Sequence, residues 1–222
     1  MPFEPSARIH SEEILDAGTA SPADVQESLG DLRRLNAWLG GRSVLRVLLQ
    51  EQMRRTSLAH FTLLDAGTGS GDLATYVAQT FPAWVCGLDR QLLHLAARDG
   101  AWSPVAADMH AMPFPPRSFD FVAASLVLHH FEDDDAVKLL REMASLARHA
   151  LLVNDLERHI LPWWFIQHAP FARSYISRLD GATSVQRAFT RDELTALAQR
   201  AGFTRFRVRK HVPFRLSLVV EL

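Results

Sequence analysis

The sequence has little cysteine, no excess of either charge and no long apolar run, and each absence excludes a class of protein. The single cysteine, Cys86, cannot form an internal disulfide, which fits a reducing compartment. The chain has 24 Lys and Arg residues and 25 Asp and Glu residues, so its overall charge shows no basic excess of the kind that indicates nucleic-acid binding. No apolar run approaches the roughly 18 residues that a membrane span needs, and the N-terminus lacks the pattern of a secretion signal. We therefore expect a soluble, cytoplasmic, globular protein without a nucleic-acid partner.

The most informative stretch is residues 61–72, which read FTLLDAGTGSGD. An apolar run, an acid at Asp65, alternating glycines and a second apolar-periodic segment predict a strand, a tight turn and a helix. The helix N-terminus offers unpaired N–H groups to a ligand. A dinucleotide fingerprint requires a third glycine where this chain has Asp72, and a pyrophosphate would meet a carboxylate there. The acids at both ends of the turn instead suit a ligand that carries positive charge.

Two further acids end later predicted strands. Asp89 follows the strand predicted over 83–88, and Asp108 follows the one predicted over 101–107. In a doubly wound fold, a carboxylate at the tip of the second strand accepts hydrogen bonds from both ribose hydroxyls. Asp89 would serve NAD equally well, so it indicates adenosine binding without selecting the chemistry. Arg90 either flanks the adenosine or is an ordinary solvated arginine.

These features, with MPFPPRSFD over 112–120, resemble those of the class I S-adenosylmethionine (SAM)-dependent methyltransferases. The resemblance covers residues 61–222 and is closest to bacterial small-molecule enzymes of quinone, polyketide or phenol tailoring. It implies an α/β, Rossmann-like, doubly wound seven-stranded sheet of order 3-2-1-4-5-7-6 with the last strand antiparallel, and SAM as cofactor with S-adenosylhomocysteine (SAH) as product. The cofactor-binding residues that it implies are Asp65, Gly67, Thr68, Gly69, Gly71, Asp89, Arg90, Asp108, Met109 and Ser125.

The remaining elements are assigned around this domain. Residues 1–58 are predicted as an N-terminal helical cap, with helices from Ser21 to the glycines at 40–41 and from 43 to about 56. These helices either cover the ligands or simply pack. Residues 59–222 form the SAM-binding domain. A helix is predicted over 133–149, with Arg148 and His149 opposing its C-terminal dipole, and the fifth strand over 150–154.

Residues 156–190 depart from the minimal fold and are predicted as a helical insert rich in aromatic residues. The insert follows the fifth strand, so it would lie above the carboxyl ends of the strands, where open α/β sheets bind ligands. Aromatic walls with a few polar groups favour a lid over an apolar or aromatic acceptor. Core packing, a dimer interface and shallow membrane contact are the alternatives. The predicted substrate-binding residues are His159, Trp163, Trp164, His168 and Tyr175.

The candidates for proton transfer lie where the family places the transferable methyl group. A phenol or enol acceptor must lose a proton, and a histidine can take it. His129, His130 and Asp155 are the predicted catalytic residues, with at most one of the two adjacent histidines expected to face the site. No metal is expected, and the protein is predicted to be a monomer or homodimer acting on a small molecule. An NAD(P)-dependent oxidoreductase and a non-catalytic SAM-binding protein are the alternative functions.

Overall fold

The centre of the fold is a seven-stranded sheet of order β3-β2-β1-β4-β5-β7-β6. This computed structural model describes residues 7–11, 13–14, 21–96, 100–168 and 175–222, without the side chains of Pro22, Leu35, Trp38 and Tyr175. The strand β7 runs antiparallel to both neighbours, whereas the strands from β1 to β5 pair in parallel, so the predicted fold class and strand order are confirmed. The strands are β1 (Phe61–Ala66), β2 (Ala83–Asp89), β3 (Ser103–Ala106), β4 (Phe119–Ser125), β5 (Ala147–Leu156), β6 (Phe206–His211) and β7 (Arg215–Glu221).

Helices cover both faces of the sheet and its carboxyl edge. Helix α8 begins with a capping box, in which the Thr190 side chain accepts from the Glu193 backbone N–H and the Glu193 side chain accepts from the Thr190 backbone N–H. In the described part of the chain, no helix is both long enough and apolar enough to cross a membrane. The helices are α1 (Pro22–Trp38), α2 (Gly41–Thr56), α3 (Asp72–Thr80), α4 (Leu92–Ala96), α5 (Asp133–Leu146), α6 (Ile160–His168), α7 (Tyr175–Arg187) and α8 (Arg191–Arg200), with a 3-10 turn at Leu128–His130.

The predicted boundary between the fifth helix and the fifth strand is wrong. Helix α5 ends at Leu146, and β5 begins at Ala147, which pairs with Phe119 of β4. Arg148 therefore lies on a strand and bonds the carboxylate of Asp120 at 3.1 Å, instead of opposing a helix dipole. Strand pairing to a long, buried β4 outweighs a helix propensity that is worth only tenths of a kcal/mol per residue.

Two apolar clusters sandwich the sheet. One lies between the sheet and helices α2 and α3, with Val44, Leu45, Leu48 and Leu49 of α2 buried in it. The other lies between the sheet and helices α5 and α8. Helix α1 instead packs on α2, α3 and α7 and so runs along the carboxyl edge. The two N-terminal helices thus differ, because α2 belongs to the core and α1 borders the ligand-binding edge.

Candidate functional site

A cavity of about 590 Å³ opens at the carboxyl edge of the parallel strands. Its walls come from the glycine turn after β1, the ends of β2, β4 and β5, helix α1, the insert and the segment between β6 and β7. One continuous space therefore connects the predicted cofactor turn with the predicted catalytic histidines. Such an edge is where ligands bind in doubly wound sheets.

The glycine turn has the backbone that the sequence predicts. Gly67, Gly69 and Gly71 have φ of 73°, 58° and 75°, a left-handed conformation that glycine adopts without steric cost. A Cβ at Gly67 would lie 2.5 Å from the side chain of Val127, so the turn and the segment after β4 can approach only through glycine. At Gly69, no described atom lies within 4 Å of a built Cβ. That side of the turn is open to a ligand in the cavity.

The two acids that flank the turn have different roles. Asp72 lines the cavity and pairs with Arg42. Asp65 does not line it; the carboxylate is buried behind the turn and accepts a hydrogen bond from the Thr68 hydroxyl at 2.7 Å. Burial raises the pKa of Asp65 to about 7, and the charges of Asp72 and Asp89 add to that rise while the Thr68 hydroxyl opposes it. Asp65 therefore holds the turn, whereas the sequence interpretation had placed it against the ligand.

Asp89 lies at the tip of β2, as predicted, and faces the cavity. Its two carboxylate oxygens accept the backbone N–H groups of Gly69 at 2.9 Å and Gln91 at 2.8 Å. Burial alone would raise the pKa of Asp89, but His94 and those two N–H groups bring it below its ordinary value. An ionised acceptor with free lone pairs is thus available for ribose hydroxyls.

The other predicted cofactor residues also border the cavity. Asp108 accepts the backbone N–H of His110 at 2.8 Å, and Met109 follows it at the same wall. Ser125 ends β4 and accepts a hydrogen bond from Asn154 Nδ2 at 2.9 Å. Arg90 lines the cavity beside Asp89. Asp65 and Gly71 are the two predicted cofactor residues that do not border the cavity.

His129 is buried between two carboxylates. Its Nδ1 lies 2.6 Å from Asp155 Oδ1, and its Nε2 lies 3.6 Å from Glu13 Oε1. Burial would lower the pKa of this imidazole, but the charges and hydrogen bonds of Asp155 and Glu13 outweigh burial and raise it to about 9. The two carboxylates thus favour the protonated form of His129 at neutral pH. Asp155 also accepts the His129 backbone N–H at 3.2 Å, which fixes the turn that carries the imidazole.

Glu13 is a site residue that the sequence interpretation missed. Its carboxylate is buried, lines the cavity and accepts a hydrogen bond from Ser184 Oγ at 2.7 Å. Burial would raise the pKa of Glu13, yet the contacts with His129, His130 and Ser184 hold it below its ordinary value. No motif marks Glu13, because it meets the histidines only through tertiary packing.

Glu13, His129 and His130 together could hold a cation. One ligand atom from each lies within 4.8 Å of the others. Both histidines line the cavity, so the expectation that one of them would face away is wrong. Both ring nitrogens of His129 face carboxylates. A proton on the ring therefore offsets the negative charge of these carboxylates, as a bound metal cation would.

The insert lines the cavity, although not through the residues that the sequence favours. Trp164 is 55% exposed and stacks on His168 with ring centroids 4.5 Å apart. His159 and His168 are exposed, and none of these three, nor Trp163, borders the cavity; the side chain of Tyr175 lies outside the described residues. Residues i and i+4 share a helix face, so Trp164 and His168 point away together. The insert residues that line the cavity are Pro162, Phe165, Ile166, Gly181, Ser184 and Arg187.

Arg187 connects the insert to the 3-10 turn that carries His129 and His130. Its guanidinium is buried and donates to the carbonyl oxygens of His129 at 3.1 Å, His130 and Ser11. One side chain thus ties together the insert, the 3-10 turn and the N-terminal segment that supplies Glu13.

The sheet order, the glycine turn and the strand-end acids define a methyltransferase fold, and comparisons with known proteins agree. Residues 63–150 match a family model described as a methyltransferase domain. A search of curated proteins found no match. A SAM-dependent methyltransferase from Aquifex aeolicus has a similar structure, at 16% identity and a TM-score of 0.62, over 91% of this chain and 98% of that one.

Two further structures extend the likeness beyond the matched segment. Human N-acetylserotonin methyltransferase in complex with SAM is 17% identical, with a TM-score of 0.66 over 96% of this chain and 60% of that one. The CurJ carbon methyltransferase is 13% identical, with a TM-score of 0.66 over 93% and 62%. The protein accordingly has the fold of the class I SAM-dependent methyltransferases, and residues 63–150 match a methyltransferase domain.

Proposed function

We propose that the protein transfers the methyl group of SAM to an oxygen or carbon of a small apolar or aromatic acceptor, such as a phenol, a quinol or a polyketide-like ring. The observation that best supports this is the single cavity, which joins the glycine turn to His129 and to the apolar side chains of the insert. Similar structures include one described as a candidate O-methyltransferase and one described as a carbon methyltransferase, which supports either class of acceptor atom on this fold.

The cofactor half of the cavity supplies contacts of the kind that SAM requires. Asp89 would accept from the ribose hydroxyls, and Asp108 from the adenine amino group, with Met109 against the ring. The open face of Gly69 leaves room for the methionine portion along the backbone. SAM would supply the methyl group from its sulfonium and leave as the neutral thioether SAH. The protein's own contribution is alignment, which can account for much of the acceleration of a displacement.

The acceptor half supplies a place for the proton. The gap of 3.6 Å between His129 Nε2 and Glu13 Oε1 exceeds a hydrogen bond, so an acceptor hydroxyl can contact both atoms. Asp155 holds the opposite nitrogen of the ring and fixes its orientation. We infer that the proton of a phenol or enol passes to His129, which requires His129 to be neutral when the acceptor arrives. Phe165 and Ile166 would enclose the rest of the acceptor and exclude water.

The biological setting that we propose is small-molecule tailoring in the cytoplasm, as part of secondary metabolism. The balance of 24 basic against 25 acidic residues supports a small acceptor over a nucleic acid. The acid at Asp72 argues against a nicotinamide dinucleotide, whose pyrophosphate would approach that end of the turn.

Screening phenolic, quinol and polyketide-like acceptors for SAH release tests the proposal directly. We expect at least one acceptor class to yield SAH and a methylated product. Replacing both His129 and His130 by Ala should leave SAM binding nearly intact and lower turnover by about 10²-fold or more. SAM binding without methyl transfer to any acceptor would favour a non-catalytic SAM-binding protein, and unchanged turnover in the double variant would remove both histidines from the mechanism.

A further inference from the structure

Arg215 is a buried cation in the wall of the cavity. It opens β7, is 1% exposed, and lines the cavity together with Asn36, Leu39 and Phe214. Its Nε donates to the carbonyl oxygen of Leu39 at 3.0 Å, and its Nη2 donates to Asn36 Oδ1 at 3.3 Å. Nη1 has no hydrogen-bond partner among the residues that the structure describes. Within the described residues, the guanidinium is therefore hydrogen-bonded only to neutral groups.

The other two arginines that are buried within the described ranges have more complete sets of partners. Arg158 forms a two-pronged ion pair with Glu193, at 2.9 Å and 2.5 Å. Arg187 places each of its three nitrogens on a backbone carbonyl. Arg215 has neither a carboxylate in contact nor a complete set of acceptors. A buried charge without such compensation lowers the stability of the folded protein. A bound anionic ligand would offset that loss at Arg215.

Burial changes the pKa of Arg215 in the direction expected for a cation. It lowers the pKa of the guanidinium to about 10, and the charge of Asp155 partly opposes that fall. Arg215 is therefore still cationic at neutral pH. At neutral pH the cavity wall therefore carries a positive charge, and Nη1 of Arg215 is a donor without a partner among the described residues.

The position of Arg215 assigns it to the acceptor end of the cavity. Its backbone pairs with Leu156, the last residue of β5, one position beyond the Asp155 that holds His129. The cofactor turn has a different arginine beside it, since Arg33 Nε lies 3.2 Å from Ser70 Oγ. Arg33, and not Arg215, is thus placed for the carboxylate of the methionine portion.

We propose that Arg215 binds an anionic oxygen of the acceptor, so that the substrate carries a carboxylate or an ionised enol or phenol besides the atom that is methylated. A guanidinium fork matches such oxygens and gains a charge-assisted hydrogen bond through Nη1. The apolar side chains of Leu39, Phe214 and Leu156 around it suit the ring or chain that carries the anion. This inference rests on the proposed function and narrows its substrate class.

Binding of matched acceptor pairs to the SAH-loaded protein tests the inference independently of turnover. Calorimetry would compare hydroxybenzoates and hydroxycinnamates with their methyl esters, and 4-hydroxy-2-pyrones with their O-methyl ethers. We expect at least one anionic member to bind the wild type about 10- to 100-fold more tightly than its neutral partner, the range of a charged hydrogen bond. Preference in the first set would identify a carboxylate, and preference in the second an ionised enol.

Variants then separate Arg215 from other sources of that preference. Arg215→Gln should abolish the preference and leave the Kd for SAH within about twofold, while Arg215→Lys, which keeps the charge, should retain part of it and guards against a folding defect in the Gln variant. Arg33→Gln is the matched control and should weaken SAH while preserving the preference. Equal binding of the anionic and neutral members in both sets to the wild type, or a loss of SAH affinity confined to Arg215→Gln, would overturn the inference even if SAH release has established methyl transfer.

Discussion

His129 sets the expected pH dependence of turnover. Asp155 and Glu13 raise its pKa to about 9, so the neutral form that can accept a proton is a minor species at pH 7. We predict that kcat/KM with a phenolic acceptor rises with pH up to about 9. Asp155→Asn and Glu13→Gln each remove a carboxylate, which lowers the pKa of His129, so the rise should move to lower pH in both variants.

This prediction is checked by pH profiles of kcat/KM, measured by SAH release between pH 6 and 10. His159→Gln is a suitable control, because His159 is exposed and does not border the cavity. A profile with the same inflection in the wild type and in Glu13→Gln would show that Glu13 does not act on His129. A flat wild-type profile would show that no proton leaves the acceptor in the rate-limiting step.

Asp65 gives a second prediction at the scale of single residues, this time for stability. Its pKa in the folded protein is about 7 against an ordinary value of 3.8, so the protonated form favours folding, and that contribution is lost as the pH rises through 7. Asp65→Asn is neutral at every pH and keeps an acceptor for Thr68. We therefore subtract the melting temperature of the wild type from that of Asp65→Asn at each pH. We expect this difference to be more positive at pH 8 than at pH 5.

Thermal unfolding of both proteins at the two pH values measures this difference. The effect is at most a few kcal/mol, since one pKa unit corresponds to about 1.4 kcal/mol. Because His129 and the other titrating groups are common to both proteins, they cancel in the comparison. The same difference at pH 5 and pH 8 would mean that Asp65 is already ionised in the fold.

At the scale of elements, helix α6 presents one face to the cavity and another to solvent. Phe165 borders the cavity, whereas its neighbour Trp164 is 55% exposed and stacks on His168. We predict that Phe165→Ala raises the KM for the acceptor by about 10-fold or more, because a buried aromatic contact contributes about 1.5–3 kcal/mol. Trp164→Ala should change that KM by less than about twofold. Steady-state kinetics of both variants decides between the faces, and a larger effect from Trp164→Ala would contradict the assignment.

The insert also shows where inference from the sequence ends. The local pattern of residues 61–72 is sufficient to predict β1, the glycine turn and α3, because backbone conformation and helix start are encoded within a few residues. The aromatic content of 156–190 indicates a binding element but not its orientation, since a strongly apolar helix has no single apolar face to read. The end of α5 was predicted wrongly because pairing with β4, a contact distant in sequence, decides it.

Glu13 and Arg215 could not be predicted as site residues for a similar reason, because their neighbours in the site are distant in the sequence. Glu13 lies beside His129 and His130, and Arg215 opens β7 beside the end of β5, so tertiary packing alone brings both to the cavity. The strand-end acids Asp89 and Asp108 could be foreseen, because the topology itself brings the carboxyl ends of parallel strands to one edge. Site residues at strand ends can thus be predicted from the sequence, whereas site residues on the elements that cover those ends cannot.

For the whole molecule, the cofactor cavity predicts a selective gain in stability. A ligand that binds only the folded state stabilises it by about 2.7 kcal/mol at 100 times its Kd. In a chain of this size that gain corresponds to a rise in melting temperature of about 5–10 °C. We expect SAH to produce such a shift and NAD⁺ to produce none, because Asp72 occupies the end of the turn that a pyrophosphate would approach.

Thermal unfolding with each ligand at matched concentrations is the measurement, with Asp89→Asn as a variant in which the SAH shift should shrink. An equal or larger shift with NAD⁺ would contradict the choice of SAM, since the ribose contact at Asp89 is common to both ligands and only the remainder of the turn distinguishes them.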